Sequence, residues 1–407
     1  MKEERDVIGR PALRALVASD SFKGSATSAR VNELVARGIK RVLPQAEVTC
    51  LAVADGGEGT LDALVGARGG VIQRETVRGP LGAPVDARYG LIEGGRTAVI
   101  EMAEAAGITL SGRSSSDALA ASTYGVGELI LKALDLGARQ IVVGLGGSAT
   151  SDGGAGMAQA LGARLLDGRG GQVGPGVAGL AELASLDLSG LDDRLTHCEL
   201  LALTDVTNPL CGPLGAVQVY GPQKGISASD VLDADGWLRG YGQLLEQALS
   251  LPLLDAPGAG AAGGLGAGLV AFCGARIVSG VDYVLDAIGL DQALRDADLV
   301  VTGEGHMDAQ TARGKTPVGV ARRAKAQGKP VIAVVGGRAD DLDEVYAAGI
   351  DLVVPTTIAP RDLEECLART DIDLPLAGET VARAYMLGVT GRCQRTIPKT
   401  RDENGSC

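Results

Sequence analysis

Aromatic and histidine side chains are scarce in this 407-residue chain, since Phe, Trp and Tyr make up 2% of it and two histidines occur. The core must therefore be built from Ala, Val, Leu and Ile. Hydrolysis that depends on a histidine base is not expected. The sequence also lacks G-x-S-x-G and H-E-x-x-H motifs, so two common hydrolase signatures are missing.

Cysteines in a C-x-x-C spacing are absent as well. The seven cysteines are widely spaced and their number is odd. This pattern predicts neither a disulfide framework nor a zinc site. It favours a reducing compartment, so we expect a cytoplasmic protein.

Long apolar segments are also missing. Residues 256–275 carry no charge over a membrane-spanning length, but most of them are Gly or Ala, which is too weakly apolar for a transmembrane helix. The charged start, MKEERDVIGRP, has no apolar core and does not resemble a signal peptide. The net charge of −12 argues against nucleic acid or an anionic membrane as a partner. A small anionic substrate remains compatible, because local Lys and Arg side chains can override the global field.

Glycine is abundant, with 61 residues, and its clusters separate short apolar runs that alternate with helical patterns. Such alternation is typical of a parallel α/β sheet. The candidate strands are LRALVAS (13–19), VTCLAVA (48–54), IVVGL (141–145), LVVT (299–302), VIAVV (331–335) and DLVVP (351–355). Residues 71–101 differ, because Gly-Pro and Gly-Gly turns separate alternating segments, which predicts an antiparallel or mixed sheet. The sequence therefore predicts two α/β domains of different kinds, and a polar tail at 393–407 that we expect to be disordered.

Loops after the strands are the first candidates for a site, because open α/β sheets bind ligands beyond the carboxyl ends of their strands. The loop DSFKGS, residues 20–25, follows the first strand and precedes a helix predicted over 27–43. Asp20, Ser21 and Lys23 in this loop suit an anion such as a carboxylate or phosphate at a helix N-terminus. The same residues also fit an ordinary capped helix start with a solvated lysine.

A second loop, DGGEGT at residues 55–60, combines glycines with two carboxylates. Gly56 and Gly57 allow the backbone to approach a ligand closely. Asp55 and Glu58 suit either Mg²⁺ or the orientation of a hydroxyl. A simple turn followed by a helix cap is the alternative.

A third loop, GLGGSATSDGG at residues 144–154, begins like the dinucleotide motif G-x-G-x-x-A, with Asp167 about 20 residues further on. This supports a rival interpretation as an NAD-dependent dehydrogenase. Polar residues and two glycines stand where that motif's helix should begin, which weighs against it. Phosphate binding by hydroxyls and backbone amides fits better, and the candidate residues are Gly146, Gly147, Ser148, Thr150 and Asp152.

Two further loops carry carboxylates. In TDVTNP, residues 204–209, Asp205 is a candidate general base for an alcohol substrate, although residue chemistry alone slightly favours an Asx turn before the proline. After the strand LVVT, Glu304 and Asp308 are candidate Mg²⁺ ligands and Lys315 is a candidate phosphate contact. Gly314 and its neighbours do not form a P-loop, because the glycine required five residues earlier is an alanine.

Several long segments occur in one order along the chain: ASDSFKGS (18–25), ADGGEGT (54–60), GLGGSATSDGGAGM (144–157), TDVTNPLCGP (204–213), YGPQKG (220–225), GAAGGLGAGL (260–269), TGEGHMDAQT (302–311) and GKTPVGVA (314–321). In this order they resemble the bacterial glycerate kinases of the type I family, over roughly residues 13–390. One departure is His306, where the family commonly has arginine.

The resemblance implies an α/β fold with two domains. A Rossmann-like domain with a parallel sheet would be built from both chain ends, residues 1–70 and 285–392. An inserted domain with a mixed sheet would span 71–284. The resemblance also implies an enzyme that transfers a phosphoryl group from ATP, with Mg²⁺, to D-glycerate. The 2-hydroxyl is the usual acceptor in the family, and the products are 2-phosphoglycerate and ADP.

By resemblance, Asp205 is the general base, and we assign Lys23 to catalysis with it. The expected substrate-binding residues are Asp20, Ser21, Asp55, Gly56, Gly57, Glu58 and Asn208. The expected nucleotide-binding residues are Gly146, Gly147, Ser148, Thr150, Asp152, Gln310, Thr311 and Lys315. Glu304 and Asp308 are the expected metal ligands. A glycerate 3-kinase, an NAD-dependent dehydrogenase and a non-catalytic sugar-acid sensor are the alternatives, and a homo-oligomer is left open.

Overall fold

The computed structural model describes residues 12–395. In chain order its strands are β1 (Arg14–Val17), β2 (Glu47–Cys50), β3 (Val71–Arg78), β4 (Pro84–Ile92), β5 (Thr97–Glu101), β6 (Gln140–Gly144), β7 (Arg164–Asp167), β8 (Leu183–Asp187), β9 (Glu199–Leu203), β10 (Arg276–Val278), β11 (Leu299–Met307), β12 (Val331–Arg338) and β13 (Leu352–Pro355).

The helices are α1 (Ser28–Val42), α2 (Thr60–Arg68), α3 (Ala103–Ala106), α4 (Ser115–Ala120), α5 (Tyr124–Asp135), α6 (Ala155–Ala160), α7 (Gly176–Gly179), α8 (Ala216–Lys224), α9 (Val231–Leu249), α10 (Ala261–Cys273), α11 (Gly280–Ala287), α12 (Leu290–Asp296), α13 (Thr316–Ala326), α14 (Asp343–Ala347), α15 (Leu363–Ala368) and α16 (Thr370–Arg395). Among the described helices, none is both long and apolar enough to cross a membrane.

The chain divides into two compact units. Among the described residues, the first consists of residues 12–52, Asp291–Arg313 and residues 320–395, and the second of Val53–Leu290 with Gly314–Gly319. The domain limits expected from the sequence, at 70 and 285, stay a prediction. The predicted tail at 393–407 begins inside α16, which ends at Arg395, and its remaining residues lie outside the described part.

The first unit is built on a parallel sheet from both ends of the chain, as predicted. Its strand order is β13-β12-β11-β1-β2, and every neighbouring pair is parallel. The apolar runs read from the sequence form its interior, since Leu16, Val17, Val300 and Val301 are at most 1% exposed. Because β1 ends at Val17, opposite Val301, while β11 continues to Met307, the loop that follows β1 runs beside the carboxyl half of β11.

Helix α1 corresponds to the helix predicted over 27–43, and it buries Val31, Leu34, Val35 and Ile39. Thr27 caps it by accepting a hydrogen bond from the backbone N–H of Arg30. On its packed face, α1 meets α16 through glycines, since a Cβ at Gly38 would lie 2.0 Å from the carbonyl oxygen of Pro375. A Cβ at Gly378 would lie 2.3 Å from the carbonyl oxygen of Val35. The two helices therefore approach more closely than any residue with a side chain would allow.

The second unit contains the mixed sheet predicted for the middle of the chain. Its strand order is β10-β9-β6-β5-β4-β3. Strands β10, β9, β6 and β5 are parallel, whereas β4 is antiparallel to both β5 and β3. A separate antiparallel pair, β7 and β8, completes the unit. The loops after β5, β6, β9 and β10 therefore leave one edge of the sheet.

One strand is longer than the sequence indicated. The apolar run predicted β11 to end at Thr302, but its pairing with β12 continues to Met307 opposite Arg338. Glu304 therefore lies on the strand itself rather than in the loop that follows it. Backbone pairing with a neighbouring strand extended β11 beyond its apolar residues, which periodicity alone does not reveal.

Candidate active site

Asp205 follows β9 and is held at the start of helix α11. Its Oδ1 accepts a hydrogen bond of 2.7 Å from the hydroxyl of Ser279, and its Oδ2 accepts one of 3.0 Å from the backbone N–H of Val281. The Ser279 hydroxyl also caps α11 by accepting the N–H of Asp282 at 3.1 Å. The Asp205 carboxylate is therefore fixed in orientation, and each of its oxygens keeps a further lone pair for a ligand.

The surroundings of Asp205 favour the protonated form of its carboxyl group. Burial raises the pKa of this carboxyl above its ordinary value, and the negative charges of Asp55 and Asp282 raise the pKa further. The hydrogen bonds from Ser279 and Val281 act in the opposite direction. Because Asp205 remains partly exposed, the carboxyl combines accessibility with the raised proton affinity expected of a general base.

The acidic loop, residues 55–59, packs against the ends of β9 and α11 beside Asp205. Gly56 has φ +87°, and a Cβ there would lie 3.0 Å from the carbonyl oxygen of Leu203 and 3.2 Å from the Cα of Gly280. Asp55 turns the loop by accepting the backbone N–H of Gly57 at 3.1 Å. Two of the loops that the sequence singled out, the acidic loop and the one carrying Asp205, are thus brought together.

The glycine loop, residues 144–154, lies against the acidic loop. The N–H of Gly146 donates to the carbonyl oxygen of Gly56 at 3.3 Å, and a Cβ at Gly146 would lie 2.4 Å from the Cα of Gly57. Gly147, with φ +77°, is exposed, and Ser148 is partly exposed. These residues lie at the same edge of the second unit's sheet as Asp205. Their role in nucleotide binding stays a prediction.

Thr150 and Asp152 of the glycine loop point into the protein. Asp152 is fully buried and accepts four hydrogen bonds, from the N–H and hydroxyl of Thr123 and from the N–H groups of Gly154 and Gly156. The Nζ of buried Lys224 donates to the carbonyl oxygen of Thr150 at 2.6 Å. Both candidate residues therefore shape the loop from within, and direct nucleotide contact by their side chains stays a prediction.

Burial has the largest effect on the pKa values of Asp152 and Lys224. It raises the pKa of Asp152 and lowers the pKa of Lys224 to about 7. The negative charge of Asp152 acts to raise the pKa of Lys224, but it does not outweigh the burial.

Asn208 also uses its side chain to hold a loop. Its Oδ1 accepts the Tyr220 hydroxyl at 2.9 Å, and its Nδ2 donates to the carbonyl oxygen of Leu214 at 2.7 Å. The carboxamide therefore braces the segment that follows Asp205. Its expected contact with substrate stays a prediction.

In the first unit, the loop after β1 lies beside the carboxyl half of β11. The N–H of Asp20 donates to the carbonyl oxygen of Gly303 at 2.8 Å, and the Asp20 Oδ1 accepts the N–H of Ser21 at 2.7 Å. The Ser21 hydroxyl is buried and has no hydrogen-bond partner among the described residues, while Lys23 is exposed. A buried hydroxyl without a protein partner beside an exposed lysine fits a polar ligand.

The predicted metal ligands lie near each other at the end of β11. Buried Glu304 accepts the Thr311 hydroxyl at 2.6 Å, and the Asp308 Oδ1 accepts the N–H of Gln310 at 2.8 Å. The described residues contain no group of three or more His, Cys, Asp or Glu side chains that could hold a metal ion alone. Two carboxylates still fit Mg²⁺, which is commonly bound by one or two carboxylates together with substrate phosphates and water.

Lys315 and Gln310 lie near the start of α13 and the end of β11, respectively. The carbonyl oxygen of Lys315 accepts the N–H groups of Val318 and Gly319 in the first turn of the helix. Its side chain is partly exposed and that of Gln310 is exposed. Their assignment to the nucleotide stays a prediction.

Two residues at the second unit's loop edge were not predicted from the sequence. Ser279 is one, although the spacing S-x-x-D before an apolar helix is a recognisable capping signal. Glu101 is the other, at the end of β5, where its Oε1 accepts the N–H of Leu61 at 2.7 Å. No local pattern marks Glu101, because its partner lies forty residues earlier in the chain.

Comparisons with known proteins identify the family to which the chain is similar. Residues 15–386 match the sequence model of the glycerate kinase family. A glycerate kinase of Bacillus subtilis is 48% identical over 358 residues, which cover 87% of this chain and 93% of the relative. A glycerate 2-kinase of Escherichia coli is 42% identical over 93% of this chain and 99% of the relative.

A solved structure is similar over almost the same span. The crystal structure of a candidate glycerate kinase 2 from Salmonella typhimurium LT2 shares 43% identity with this chain, at a TM-score of 0.79. It covers 93% of this chain, and the match covers 99% of that protein.

Proposed function

This chain belongs to the glycerate kinase family, and from that premise we propose that it phosphorylates the 2-hydroxyl of D-glycerate with ATP and Mg²⁺, giving 2-phosphoglycerate and ADP. The Escherichia coli relative named glycerate 2-kinase supports the choice of hydroxyl. The pattern of cysteines supports the cytoplasm as the compartment.

The fixed Asp205 carboxylate is the observation that supports this reaction most. Phosphoryl transfer to an alcohol needs a group that orients the hydroxyl and accepts its proton as the oxygen attacks phosphorus. Asp205 can do this because Ser279 and Val281 hold its oxygens while one face stays accessible. The proton moves from the glycerate hydroxyl to the Asp205 carboxylate, and the bond between the γ-phosphorus and the β–γ bridging oxygen of ATP breaks.

The remaining residues bind and orient in this proposal. Glu304 and Asp308 would hold Mg²⁺, and the bound ion would neutralise charge on the phosphate groups. The exposed Lys23 and partly exposed Lys315 supply positive charge to anionic groups. The glycine loop contributes backbone N–H groups, which suit phosphate oxygens.

The dehydrogenase alternative lacks its structural context. In the dinucleotide motif a helix begins within the glycine run. Here the first helix after Gly146 is α6, which begins at Ala155. The positive end of a helix is therefore not presented to a pyrophosphate at this point.

Phosphorus-31 NMR of the product will identify the hydroxyl that is phosphorylated. With D-glycerate, ATP and Mg²⁺ we expect a phosphate-ester signal split by one proton, because carbon 2 carries a single hydrogen. A signal split by two protons would assign the 3-hydroxyl and contradict the proposal. A reaction without protein is the control, and a complete absence of ester would overturn the kinase activity itself.

Replacing Ser279 by alanine is expected to lower kcat about tenfold, because one hydrogen bond to a charged group is worth roughly 1.5 kcal/mol. Loss of a bond that lowers the pKa of Asp205 should also move the acidic limb of the pH profile of kcat/KM to higher pH. Steady-state kinetics across pH will measure both effects.

Ser227→Ala is the matched control for this experiment. The Ser227 hydroxyl donates to the Oδ2 of Asp230 at 2.7 Å, a similar Ser–Asp bond at the start of α9. We expect kcat of this variant to stay at the wild-type value. Equal kinetics for Ser279→Ala and wild type would show that Asp205 needs no support from Ser279.

A further inference from the structure

Glu101 is a buried carboxyl at the end of β5 that the reaction described above does not use. It is 4% exposed, and its Oε1 accepts the backbone N–H of Leu61 at 2.7 Å. Leu61 is the second residue of α2, which begins directly after the acidic loop. The bond therefore ties the end of a central strand to the point where the acidic loop enters its helix.

Helix α2 has no cap of its own. Its N-cap residue is Gly59, with φ +92°, which has no side chain to accept a backbone N–H. Glu101 provides the missing acceptor from a neighbouring strand, at the end of the helix where a negative charge is most favourable. Because the acidic loop runs directly into α2, the contact that caps this helix also fixes the direction in which the loop joins it.

Glu101 is placed beneath two loops of the site. In the pairing of β5 with β6 it stands opposite Gly144, the residue at which the glycine loop begins. The acidic loop rests on that loop through the hydrogen bond from Gly146 to Gly56. The Leu61 end of the acidic loop is thus connected through backbone contacts to the loops that border Asp205.

We propose that Glu101 is a positioning residue for the kinase reaction, which holds the acidic loop in the conformation that binds glycerate. The inference rests on the proposed function, because the acidic loop is assigned to glycerate there. Glu101 acts through Leu61 and the loop rather than by touching the reacting groups.

The charge surroundings of Glu101 give this role a pH dependence. Burial raises the pKa of Glu101 to about 7. The carboxyls of Glu104 and Asp62 act in the same direction, while the Leu61 N–H and the Arg88 guanidinium act to lower the pKa. Arg88 is itself paired with Glu104 at 2.7 Å and with Asp62 at 3.5 Å. The ionised carboxylate accepts the N–H more strongly than the acid does, so the loop is held better above pH 7.

The test compares two substitutions at Glu101. Glu101→Ala removes the acceptor, and we expect KM for D-glycerate to rise about tenfold at pH 8 with a smaller change in kcat. Glu101→Gln keeps an amide oxygen for the Leu61 N–H but cannot ionise. We expect Glu101→Gln to bring KM at pH 8 back close to the wild-type value. We also expect its KM to stay constant between pH 6 and pH 8, where the proposal predicts that the wild-type KM falls.

Glu128→Ala is the matched control, since Glu128 also accepts a backbone N–H from a different element, that of Arg78 at the end of β3, at 2.6 Å. This bond lies on the edge strand β3, away from the acidic loop. We expect the control to lower the thermal midpoint without raising KM. A merely structural role for Glu101 would make the two alanine variants alike, with lower midpoints and unchanged KM, and this result would overturn the inference.

If Glu101→Ala does not fold, the dependence of KM on pH in Glu101→Gln tests the proposal instead. A KM for Glu101→Gln that still falls with pH as in wild type would count against the role of Glu101, and a flat KM would support it. The failure of the proposed function is a separate result. Wild-type protein that forms no phosphate ester overturns that function and this inference together, whereas an active wild type with an unchanged Glu101→Ala overturns the inference alone.

Discussion

Asp205→Asn is expected to lower kcat by about 10³-fold while leaving the fold intact, because removing a general base typically costs 10²–10⁴-fold. Asparagine has nearly the same shape, and the Ser279 hydroxyl can rotate to accept the new amide hydrogen instead of donating. What is lost is the group that accepts the glycerate proton. Single-turnover rates with D-glycerate, together with thermal unfolding, will separate loss of chemistry from loss of structure.

The pH dependence provides a second readout for Asp205. Burial raises the pKa of Asp205. Wild-type kcat/KM should therefore decrease with falling pH at a pH above the ordinary pKa of an aspartate, because the base becomes protonated there. The residual activity of Asp205→Asn should lack this limb. Asp192→Asn is the matched control, since Asp192 also caps a helical turn, through the N–H of Arg194 at 3.0 Å. An Asp205→Asn enzyme with near wild-type kcat would remove the general base from the mechanism.

Asp152→Ala is expected to lower the free energy of unfolding by about 3–5 kcal/mol, which is large for one substitution. Four buried donors, from Thr123, Gly154 and Gly156, would lose their acceptor. Buried Lys224 would also lose the nearby charge that raises its pKa. Urea unfolding at pH 7 will measure the difference in stability.

The control for Asp152 is Asp167→Ala. Asp167 accepts two backbone N–H groups, from Arg169 and Gly171, but in a turn at the surface. Water replaces a lost acceptor there, so we expect a loss of about 1 kcal/mol or less. Similar losses for the two variants would mean that the Asp152 network is not the main support of the glycine loop.

Catalysis should respond to Asp152→Ala as well. Asp152 holds Gly154 of the glycine loop by accepting its backbone N–H at 3.1 Å. The neighbouring Gly153 donates its N–H to the carbonyl oxygen of Gly263 at 3.0 Å. Asp152, which was assigned from the sequence to nucleotide contact, thus also holds the glycine loop from inside the protein. In folded Asp152→Ala protein we expect KM for ATP to rise, which initial rates at saturating glycerate will measure.

Much of the architecture followed from local patterns. Buried apolar runs between helical patterns predicted the parallel sheet, and turns between alternating segments predicted the antiparallel part at β3, β4 and β5. The loop motifs, taken in their order along the chain, were sufficient to indicate the family. Strand ends were less predictable, as β11 shows, because pairing with β12 continued through polar residues.

The sequence by itself determined the family, the kinds of sheet and the loops that lie at strand ends, because short motifs and hydrophobic periodicity are local properties. Only the tertiary structure decided what each loop residue does. It joined Asp205 to Ser279 and Glu101 to Leu61, and it turned Asp152 inward. These contacts depend on strand register and helix placement across tens of residues. Burial and hydrogen bonding at such distances depend on the fold as a whole, and no local preference encodes them.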